Sequence, residues 1–282
     1  MYTNDMARYH RPARLQEAVE ALARQPCTVL AGGTDFYPAR VGHKIDENVL
    51  DITGIVELRG VSADARGWRI GATTTWSELL AAELPPAFDG LKQAAREVGG
   101  RQIQNAGTIA GNLCNASPAA DGVPPLLALG AEVELATFGS SRRVALTDFV
   151  TGNRRTALEP GELLVAIHVP KPRHPARSAF AKLGARRYLV ISIVMAAVTL
   201  EIDRDRIARA RVAVGSCSAV AQRLRSLEGV LAGASLDERI GEIVEVQHMA
   251  ALSPIDDVRA SAAYRSDAAF TLLRRLLQGF AS

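Results

Sequence analysis

The sequence has few cysteines, three in 282 residues, and they stand far apart at Cys27, Cys114 and Cys217 without any CxxC pair. Iron–sulfur clusters and structural zinc sites need closely spaced ligands, so this chain is predicted to hold neither. Its five histidines are scattered and form no HExxH motif, and no GxSxG sequence occurs. An odd, sparse set of thiols is typical of a reducing compartment.

The chain also has little net charge and no long apolar run. It carries 33 basic and 30 acidic residues, and a net charge of +3 gives no reason to predict nucleic-acid binding. The longest apolar stretch, 188–200, has 13 residues, whereas a membrane-spanning helix needs about 20. The first twelve residues contain no apolar segment typical of a signal peptide. We therefore expect a soluble, cytoplasmic protein without a membrane span.

Apolar residues make up 48% of the chain, enough for a large core, and the length suits two domains. The pattern predicts a helix over 15–22 and strands over 28–31 and 49–52, which indicates a small α/β lobe over residues 1–55. In the following region, the predicted helices and strands cover 75–82, 91–98, 126–129, 132–137 and 163–169.

A proline-rich stretch, 170–175, is the best linker candidate. After it, strands are predicted over 180–183, 191–202 and 207–215, with a hairpin turn at Asp203-Arg204-Asp205 and closing helices over 236–251 and 268–277. The last third therefore reads as a separate antiparallel sheet covered by helices.

Charge differs between the two sides of this linker. Residues 1–170 carry 16 basic and 19 acidic side chains, whereas residues 171–282 carry 17 and 11. The positive excess of the C-terminal part is compatible with an ordinary solvated face. It is also compatible with a docking surface for an acidic partner, and the sequence leaves both interpretations open.

The first segment with chemical character is Ala31-Gly32-Gly33-Thr34-Asp35, where a predicted strand runs into two glycines, a hydroxyl and a carboxylate. Glycines let the backbone bend and bring several N–H groups close to an anion such as a phosphate. An ordinary strand-to-loop turn would have the same composition, and both readings stay open on this segment alone. Neither a GxGxxG turn nor a GKS or GKT sequence is present, which disfavours the Rossmann and P-loop nucleotide folds.

The second segment is Asn105–Asn112, where Gly107 and Gly111 flank a short apolar step beside threonine and asparagine. It continues through Asn115 and Ser117 to Asp121, with small polar residues spaced densely among apolar ones. A buried loop of this kind satisfies its polar groups poorly unless it binds a large polar ligand. Two glycine-rich elements without lysine or arginine, apart from the nearby Arg101, predict a dinucleotide-like ligand held by backbone dipoles outside a Rossmann fold.

At these residues the sequence closely resembles the FAD-binding (medium) subunit of molybdenum hydroxylases, the family of xanthine dehydrogenase and carbon monoxide dehydrogenase. The resemblance covers almost the whole chain. The matching segments are YHRP at 9–12, AGGTD at 31–35, DI at 51–52, QIQNAGTIAGNLCNASPAADGVPPLLALGA at 102–131, EPGELL at 159–164, KLG at 182–184 and AAYR at 262–265.

The resemblance implies an α+β fold of the vanillyl-alcohol-oxidase (PCMH) type, in which two lobes hold FAD between them. The small α/β lobe would cover residues 1–55 and the larger α+β lobe residues 56–172. A C-terminal α+β domain over 173–282, of the carbon monoxide dehydrogenase flavoprotein type, would contain a three-stranded antiparallel sheet and helices.

The resemblance also implies which residues contact FAD. The two glycine-rich segments would line the pyrophosphate and ribityl chain, Asp121 would contact the cofactor beside Ser117, and Ile191 would pack over the isoalloxazine ring. Leu164 and Ile191 could instead be core residues, and Lys182 a surface lysine. The full predicted set is Ala31, Gly32, Gly33, Thr34, Asp35, Gly107, Thr108, Ile109, Ala110, Gly111, Asn112, Asn115, Ser117, Asp121, Leu164, Lys182 and Ile191.

The sequence departs from the family at two places. Val98 stands where xanthine dehydrogenase has an aromatic side chain against FAD, so a stacking contact of about 0.5–1.5 kcal/mol would be missing. The cysteine-rich insertion of the 4-hydroxybenzoyl-CoA reductase branch is absent. A [4Fe–4S] cluster in this subunit is therefore disfavoured.

By resemblance, the chain would be the FAD-carrying electron-transfer subunit of a molybdenum hydroxylase complex. A large molybdopterin subunit and a small subunit with two [2Fe–2S] clusters would be its partners, in a dimer of heterotrimers, and electrons would leave to a final acceptor. No acid–base pair is then required on this chain. Two alternatives stay open, a stand-alone FAD-dependent oxidoreductase and an assembly subunit that has lost FAD.

Overall fold

The structure is a computed structural model that describes residues 8–281. The statement about a signal peptide rests partly on residues 1–7, which lie outside the described residues. The strands, in chain order, are β1 (Tyr9–His10), β2 (Thr28–Leu30), β3 (Val49–Asp51), β4 (Val61–Ala63), β5 (Gly67–Gly71), β6 (Glu132–Thr137), β7 (Ser140–Ala145), β8 (Val150–Gly152), β9 (Arg155–Thr156), β10 (Leu163–Pro170), β11 (Ala176–Leu183), β12 (Val194–Asp203), β13 (Arg206–Gly215) and β14 (Gln222–Arg223).

The helices connect and cover these strands. They are α1 (Leu15–Arg24), α2 (Trp76–Ala81), α3 (Asp89–Glu97), α4 (Arg101–Ala106), α5 (Ile109–Asn115), α6 (Val123–Leu129), α7 (Leu146–Phe149), α8 (Arg225–Leu231) and α9 (Ala262–Gln278). Short 3₁₀ turns lie at Pro38–Arg40, Ile52–Gly54, Val56–Leu58, Pro86–Phe88, Ile240–Ile243 and Val246–Ala251. Among residues 8–281, no helix has the length and apolar character to cross a membrane.

The N-terminal part is a small parallel sheet in the order β1-β3-β2. All three residues of β3 are buried, as expected for the central strand of a parallel sheet. The apolar face of α1 packs on this sheet, where Ala18 and Val19 share a core with Leu50. The sheet positions the loop that follows β2 at one edge of the lobe.

The second part is a five-stranded antiparallel sheet in the order β4-β5-β10-β6-β7. Helices α2, α3, α5 and α6 supply the other half of its core, which includes the fully buried Trp76, Ile109 and Leu126 packed with Ile167 of β10. Helix α6 starts with Pro124 and Pro125 in its first turn, where a missing N–H is tolerated, and all its seven residues are buried.

The C-terminal sheet has the order β11-β12-β13-β14 and is antiparallel. Alternate residues of β12 point to opposite faces. Val198 on one face packs into the core that α8 and α9 cover, whereas Met195 and Ala197 on the other face pack against Ala94 of α3 and Ala128 of α6. The C-terminal sheet is therefore fixed to α3 and α6 through a separate small core.

The α+β class predicted from the sequence is confirmed, and the C-terminal sheet is antiparallel as expected. Three details differ. The C-terminal sheet has a fourth strand, because Gln222–Arg223 pairs with Ala213 and Val214. The predicted helix 236–251 is wrong, since this stretch forms two separate 3₁₀ turns. The strand predicted over 191–202 spans Val194–Asp203, and Leu189 in the segment before it has a left-handed backbone conformation with φ 51°.

Candidate functional site

A cleft of about 530 Å³ lies between the parallel sheet and the larger sheet of the N-terminal half. Its walls come from the loop after β2, the segment 107–115 and the start of β10. Twelve predicted site residues line it: Ala31, Gly32, Gly33, Thr34, Asp35, Gly107, Thr108, Ala110, Gly111, Asn112, Asn115 and Leu164. The structure therefore brings the two glycine-rich segments, which are far apart in sequence, to one cavity.

The first loop turns sharply where β2 ends. Gly33 has φ +70°, a left-handed conformation that favours glycine. The backbone N–H groups of Gly33, Thr34 and Asp35 donate to no other described residue. Such consecutive unpaired amides beside a cavity are suited to hold an anion.

The second loop is held in place by helix caps. The side chain of Thr108 accepts a hydrogen bond from the Gly111 amide at 3.0 Å and so caps α5. A capping box between Thr75 and Glu78 starts α2, and the amide of Trp76 donates to the carbonyl of Gly107 at 3.2 Å. The loop is thereby tied to α2 on one side and to α5 on the other.

The two loops touch through their backbones. A Cβ atom added to Gly32 would overlap the carbonyl oxygen of Ala106 and lie 2.6 Å from its carbonyl carbon and 2.8 Å from Gly107 Cα. Only a residue without a side chain fits there, so the closeness of the loops depends on this glycine.

One arginine in the cleft was not predicted from the sequence. Arg40 lines the cavity, its guanidinium lies 3.8 Å from the ring centre of Phe36, and it donates to the Phe36 carbonyl and to Glu47 at 2.9 and 2.6 Å. The 3₁₀ turn Pro38–Arg40 brings it back over the first loop. It is the single basic side chain lining the cleft among residues 8–281, and it is paired with Glu47, which lies outside the lining.

A buried carboxylate supports the wall formed by β10. Glu162 accepts two hydrogen bonds from Arg142, at 2.6 and 2.9 Å, and one from the Glu159 amide at 2.8 Å. The Arg142 guanidinium lowers the pKa of Glu162 below its usual range. This ionised, fully bonded side chain fixes the start of β10, where Leu163 and Leu164 face the cleft.

Asp121 and Lys182 form a buried ion pair beside the cleft but do not line it. Lys182 Nζ donates to Asp121 Oδ2 at 2.8 Å and to the carbonyls of Glu97 and Val190 at 3.2 and 3.3 Å. Ser192 Oγ donates to Asp121 Oδ1 at 2.8 Å. Burial raises the pKa of Asp121, and Lys182 counteracts that rise. The Lys182 side chain is 4% exposed, so the interpretation as a surface lysine is wrong.

Three other predicted residues, Ile109, Ser117 and Ile191, lie outside the cleft lining. Ile109 is a fully buried core residue, and Ser117 accepts a hydrogen bond from the Ala119 amide within a local turn. Ile191 is 55% exposed and outside the cleft lining, so the interpretation as a core residue is wrong and its contact with the cofactor stays a prediction. Asn115 lines the cleft and accepts a hydrogen bond from Arg154.

The thiol of Cys114 also faces the cleft. Cys114 is exposed within the open cleft, and desolvation by the surrounding protein raises the pKa of this thiol to about 12. Sequence reasoning had placed it in the loop without assigning it to the lining. The lining residues absent from the predicted set are Val29, Leu30, Phe36, Ala39, Arg40, Ile52, Ala72, Trp76, Val98, Ile103, Cys114, Leu158, Glu162 and Leu163.

The cleft is built for binding rather than for acid–base chemistry. Its titratable lining side chains, within residues 8–281, are Asp35, Arg40, Cys114 and Glu162. Arg40 and Glu162 are held in ion pairs, and the Cys114 thiol is protonated at neutral pH. Unpaired amides at one wall and apolar side chains at the other fit a long ligand with phosphates and an aromatic ring system, which is the shape of FAD.

Comparison with known families and curated proteins gives matches over most of the chain. Residues 4–172 match the model of the FAD-binding domain in molybdopterin dehydrogenase, and residues 179–280 match the carbon monoxide dehydrogenase flavoprotein C-terminal domain. A putative xanthine dehydrogenase FAD-binding subunit of Escherichia coli (strain K12) is 31% identical over 279 residues, which are 97% of this chain and 95% of the relative.

Two further relatives belong to carbon monoxide dehydrogenases. The medium chain from Afipia carboxidovorans is 31% identical over 278 residues, 96% of this chain and 95% of its own. A chain in the crystal structure of a Cu,Mo-CO dehydrogenase superposes with a TM-score of 0.88 at 28% identity, covering 99% of both chains. The protein therefore belongs to the family of FAD-binding subunits of xanthine and carbon monoxide dehydrogenase-type molybdenum hydroxylases.

Proposed function

We propose that this chain is the FAD-carrying electron-transfer subunit of a molybdenum hydroxylase complex, and that it passes electrons from the [2Fe–2S] clusters of a partner subunit to a final acceptor. The observation that supports this most is the cleft itself, where two glycine-rich loops meet in backbone contact without an acid–base pair. FAD, when bound, supplies the redox chemistry that amino-acid side chains cannot.

The residues of the chain bind and orient the cofactor in this proposal. The unpaired amides of Gly33, Thr34 and Asp35 would hold the pyrophosphate, with the guanidinium of Arg40 in the same cleft lining. Leu163 and Leu164 would cover the apolar part of the cofactor, held by the buried Glu162. The pair Asp121–Lys182 lies outside the cleft lining and would act indirectly, because Lys182 holds the carbonyl of Glu97 next to the lining residue Val98.

We also propose partner subunits and a cytoplasmic location for this chain. A large molybdopterin subunit and a small subunit with two [2Fe–2S] clusters would complete the complex, as a dimer of heterotrimers. Names such as "medium chain" among the relatives support a multi-subunit assembly. Three free cysteines support the cytoplasm, where thiols stay reduced. We assign residues 1–55 and 56–172 to two lobes of the FAD domain and 173–282 to the C-terminal domain.

Purification of the native complex through a tag on this chain tests the proposal. We expect a yellow-brown preparation with about four iron atoms and about one molybdenum for each FAD. Flavin absorbance should bleach on addition of the complex's substrate to the whole complex, and not to this chain alone. Turnover of an organic donor by the isolated FAD-loaded chain would favour a stand-alone oxidoreductase instead. A colourless chain that no added FAD can reconstitute would exclude any flavin function.

FAD is also expected to protect Cys114 from alkylation, because the cofactor would fill the cavity that this thiol faces. The pKa of the Cys114 thiol is about 12, and the thiolate is the nucleophile. In the flavin-free protein, the alkylation rate of Cys114 should therefore rise about tenfold per pH unit between pH 7 and 10. Iodoacetamide labelling followed by peptide mass spectrometry measures both effects. Cys27, which lies outside the cleft lining, serves as the control whose rate FAD leaves unchanged. Equal labelling of Cys114 with and without FAD would contradict the binding mode.

A further inference from the structure

A second cavity, of about 330 Å³, lies where the C-terminal sheet meets the end of β10. It shares no lining residue with the cleft described above. We call it the junction cavity and define it by six of its lining residues, namely Lys171, Arg173, Thr199, Glu201, Arg209 and Arg211.

The register of the sheet explains why these side chains meet. Thr199 lies opposite Arg211 and Glu201 lies opposite Arg209 in the antiparallel pair β12–β13. Residues two apart on a strand share a face, so all four side chains point to the side of the sheet that faces the N-terminal half. The linker that follows β10 contributes Lys171 and Arg173 to the lining of the same cavity.

Positive charge exceeds negative charge in this cavity. Four basic side chains line it, against the single carboxylate of Glu201. Glu201 is 2% exposed and already accepts hydrogen bonds from the amides of Arg173 and His174, at 2.9 and 3.4 Å, and from Arg211 at 3.3 Å. The side chains of Lys171, Arg173 and Arg209 make no hydrogen bond or ion pair with any residue in 8–281.

Two buried groups are left incompletely satisfied. The Thr199 hydroxyl has no hydrogen-bond partner among the described residues, although the residue is only 4% exposed. Burial, with a further contribution from Arg209, lowers the pKa of Arg211 below its usual range. A buried hydroxyl without a partner and a buried guanidinium with one long hydrogen bond both favour a ligand that accepts hydrogen bonds and carries negative charge.

We propose that the junction cavity binds a phosphate group. Phosphate is a tetrahedral dianion that accepts hydrogen bonds from several donors at once. Its two negative charges would neutralise more of the excess positive charge than the single charge of a carboxylate. The volume lies at the lower end of the range of about 300–1,000 Å³ for small-molecule pockets, and the buried ring of Phe88 with the edge-on ring of Trp68 forms an apolar wall. The phosphate can therefore be inorganic or the phosphate of a small organic molecule.

Calorimetric titration of the full-length, FAD-loaded chain at low ionic strength tests this. Inorganic phosphate is expected to bind saturably, and Arg209→Gln should weaken its binding about tenfold or more, the loss of one charge-assisted hydrogen bond. Thr199→Val, which keeps the shape and removes the hydroxyl, should weaken binding about three- to tenfold. Adenosine monophosphate provides the second arm. If adenosine monophosphate binds at least about tenfold more tightly than inorganic phosphate, the ligand is an organic phosphate. If the two bind equally, the ligand is the free phosphate ion.

Arg204→Asn is the matched control. Arg204 lies in the β12–β13 hairpin outside the cavity, with φ 58°, and asparagine tolerates that conformation. It removes one positive charge from the same sheet and should leave phosphate affinity unchanged. Since Arg209 is exposed, its variant is expected to fold, which thermal melting verifies. Absence of saturable binding, or equal weakening by Arg209→Gln and Arg204→Asn, would overturn the proposal.

Discussion

Gly32→Ala is expected to reduce the FAD content of the purified protein to less than about a tenth of the wild-type content, a loss of at least about 1.4 kcal/mol in binding. The new Cβ would meet backbone atoms of Ala106 and Gly107, which cannot rotate away as a side chain can. The two loops would have to separate, and the cavity that they form would change shape. Overpacking of this kind also lowers the free energy of unfolding, by about 1–3 kcal/mol.

Flavin released by denaturation measures the content of bound FAD, and titration of the flavin-free variant with FAD measures the affinity. Gly229→Ala is the matched control, because Gly229 lies in α8 with no atom near its missing Cβ. Alanine is favoured over glycine inside a helix by about 1 kcal/mol, so this variant should keep its FAD and be slightly more stable. Normal FAD binding by a folded Gly32→Ala protein would contradict the proposed placement of the cofactor.

Asp121→Ala is expected to lower the free energy of unfolding by about 3–5 kcal/mol, because it leaves the ammonium group of Lys182 buried without its counter-ion. The side chains of Asp121 and Lys182 are only 11% and 4% exposed, so water cannot replace the lost partner well. The remaining acceptors of Lys182 are the carbonyls of Glu97 and Val190, which carry no full charge.

A double-mutant cycle separates the pair from its surroundings. Lys182→Met removes the other charge, and the double variant Asp121→Ala/Lys182→Met should be clearly more stable than the sum of the single changes predicts. Urea unfolding, followed by circular dichroism and tryptophan fluorescence, gives the four free energies. If the free-energy changes of the two single variants add up to that of the double variant, Asp121 and Lys182 do not stabilise each other. Ser192→Ala, which removes one hydrogen bond to Asp121, should cost about 1–3 kcal/mol.

The local elements of the cleft could be predicted from the sequence. The strand that ends at Gly32-Gly33 and the two glycines around Thr108 carry their conformational signals within a few residues, and both segments line the cavity. The residues alone led only to a dinucleotide-like ligand outside a Rossmann fold. The assignment to FAD came from the resemblance, which rests on the long segment 102–131.

Contacts between distant segments could not be predicted in the same way. Arg40 reaches the cleft through a 3₁₀ turn, which has no apolar periodicity in the sequence. Glu162 depends on Arg142 of β7, a strand that β6 separates from β10. Lys182 has no local sequence signal of burial, since its partner Asp121 stands in another part of the chain. The short strand β14 and the two turns in 236–251 were missed because segments this short take their conformation from what they pack against.

The small core shared by α3, α6 and the C-terminal sheet has a consequence for synthesis of the chain. Ala94 and Ala128 leave the ribosome before Phe180, Met195 and Ala197, the residues that cover them. Until β11 and β12 have emerged, the N-terminal half exposes an apolar surface that other chains can bind. We therefore expect this contact between the two halves of the molecule to form late in synthesis, after β11 and β12 have emerged.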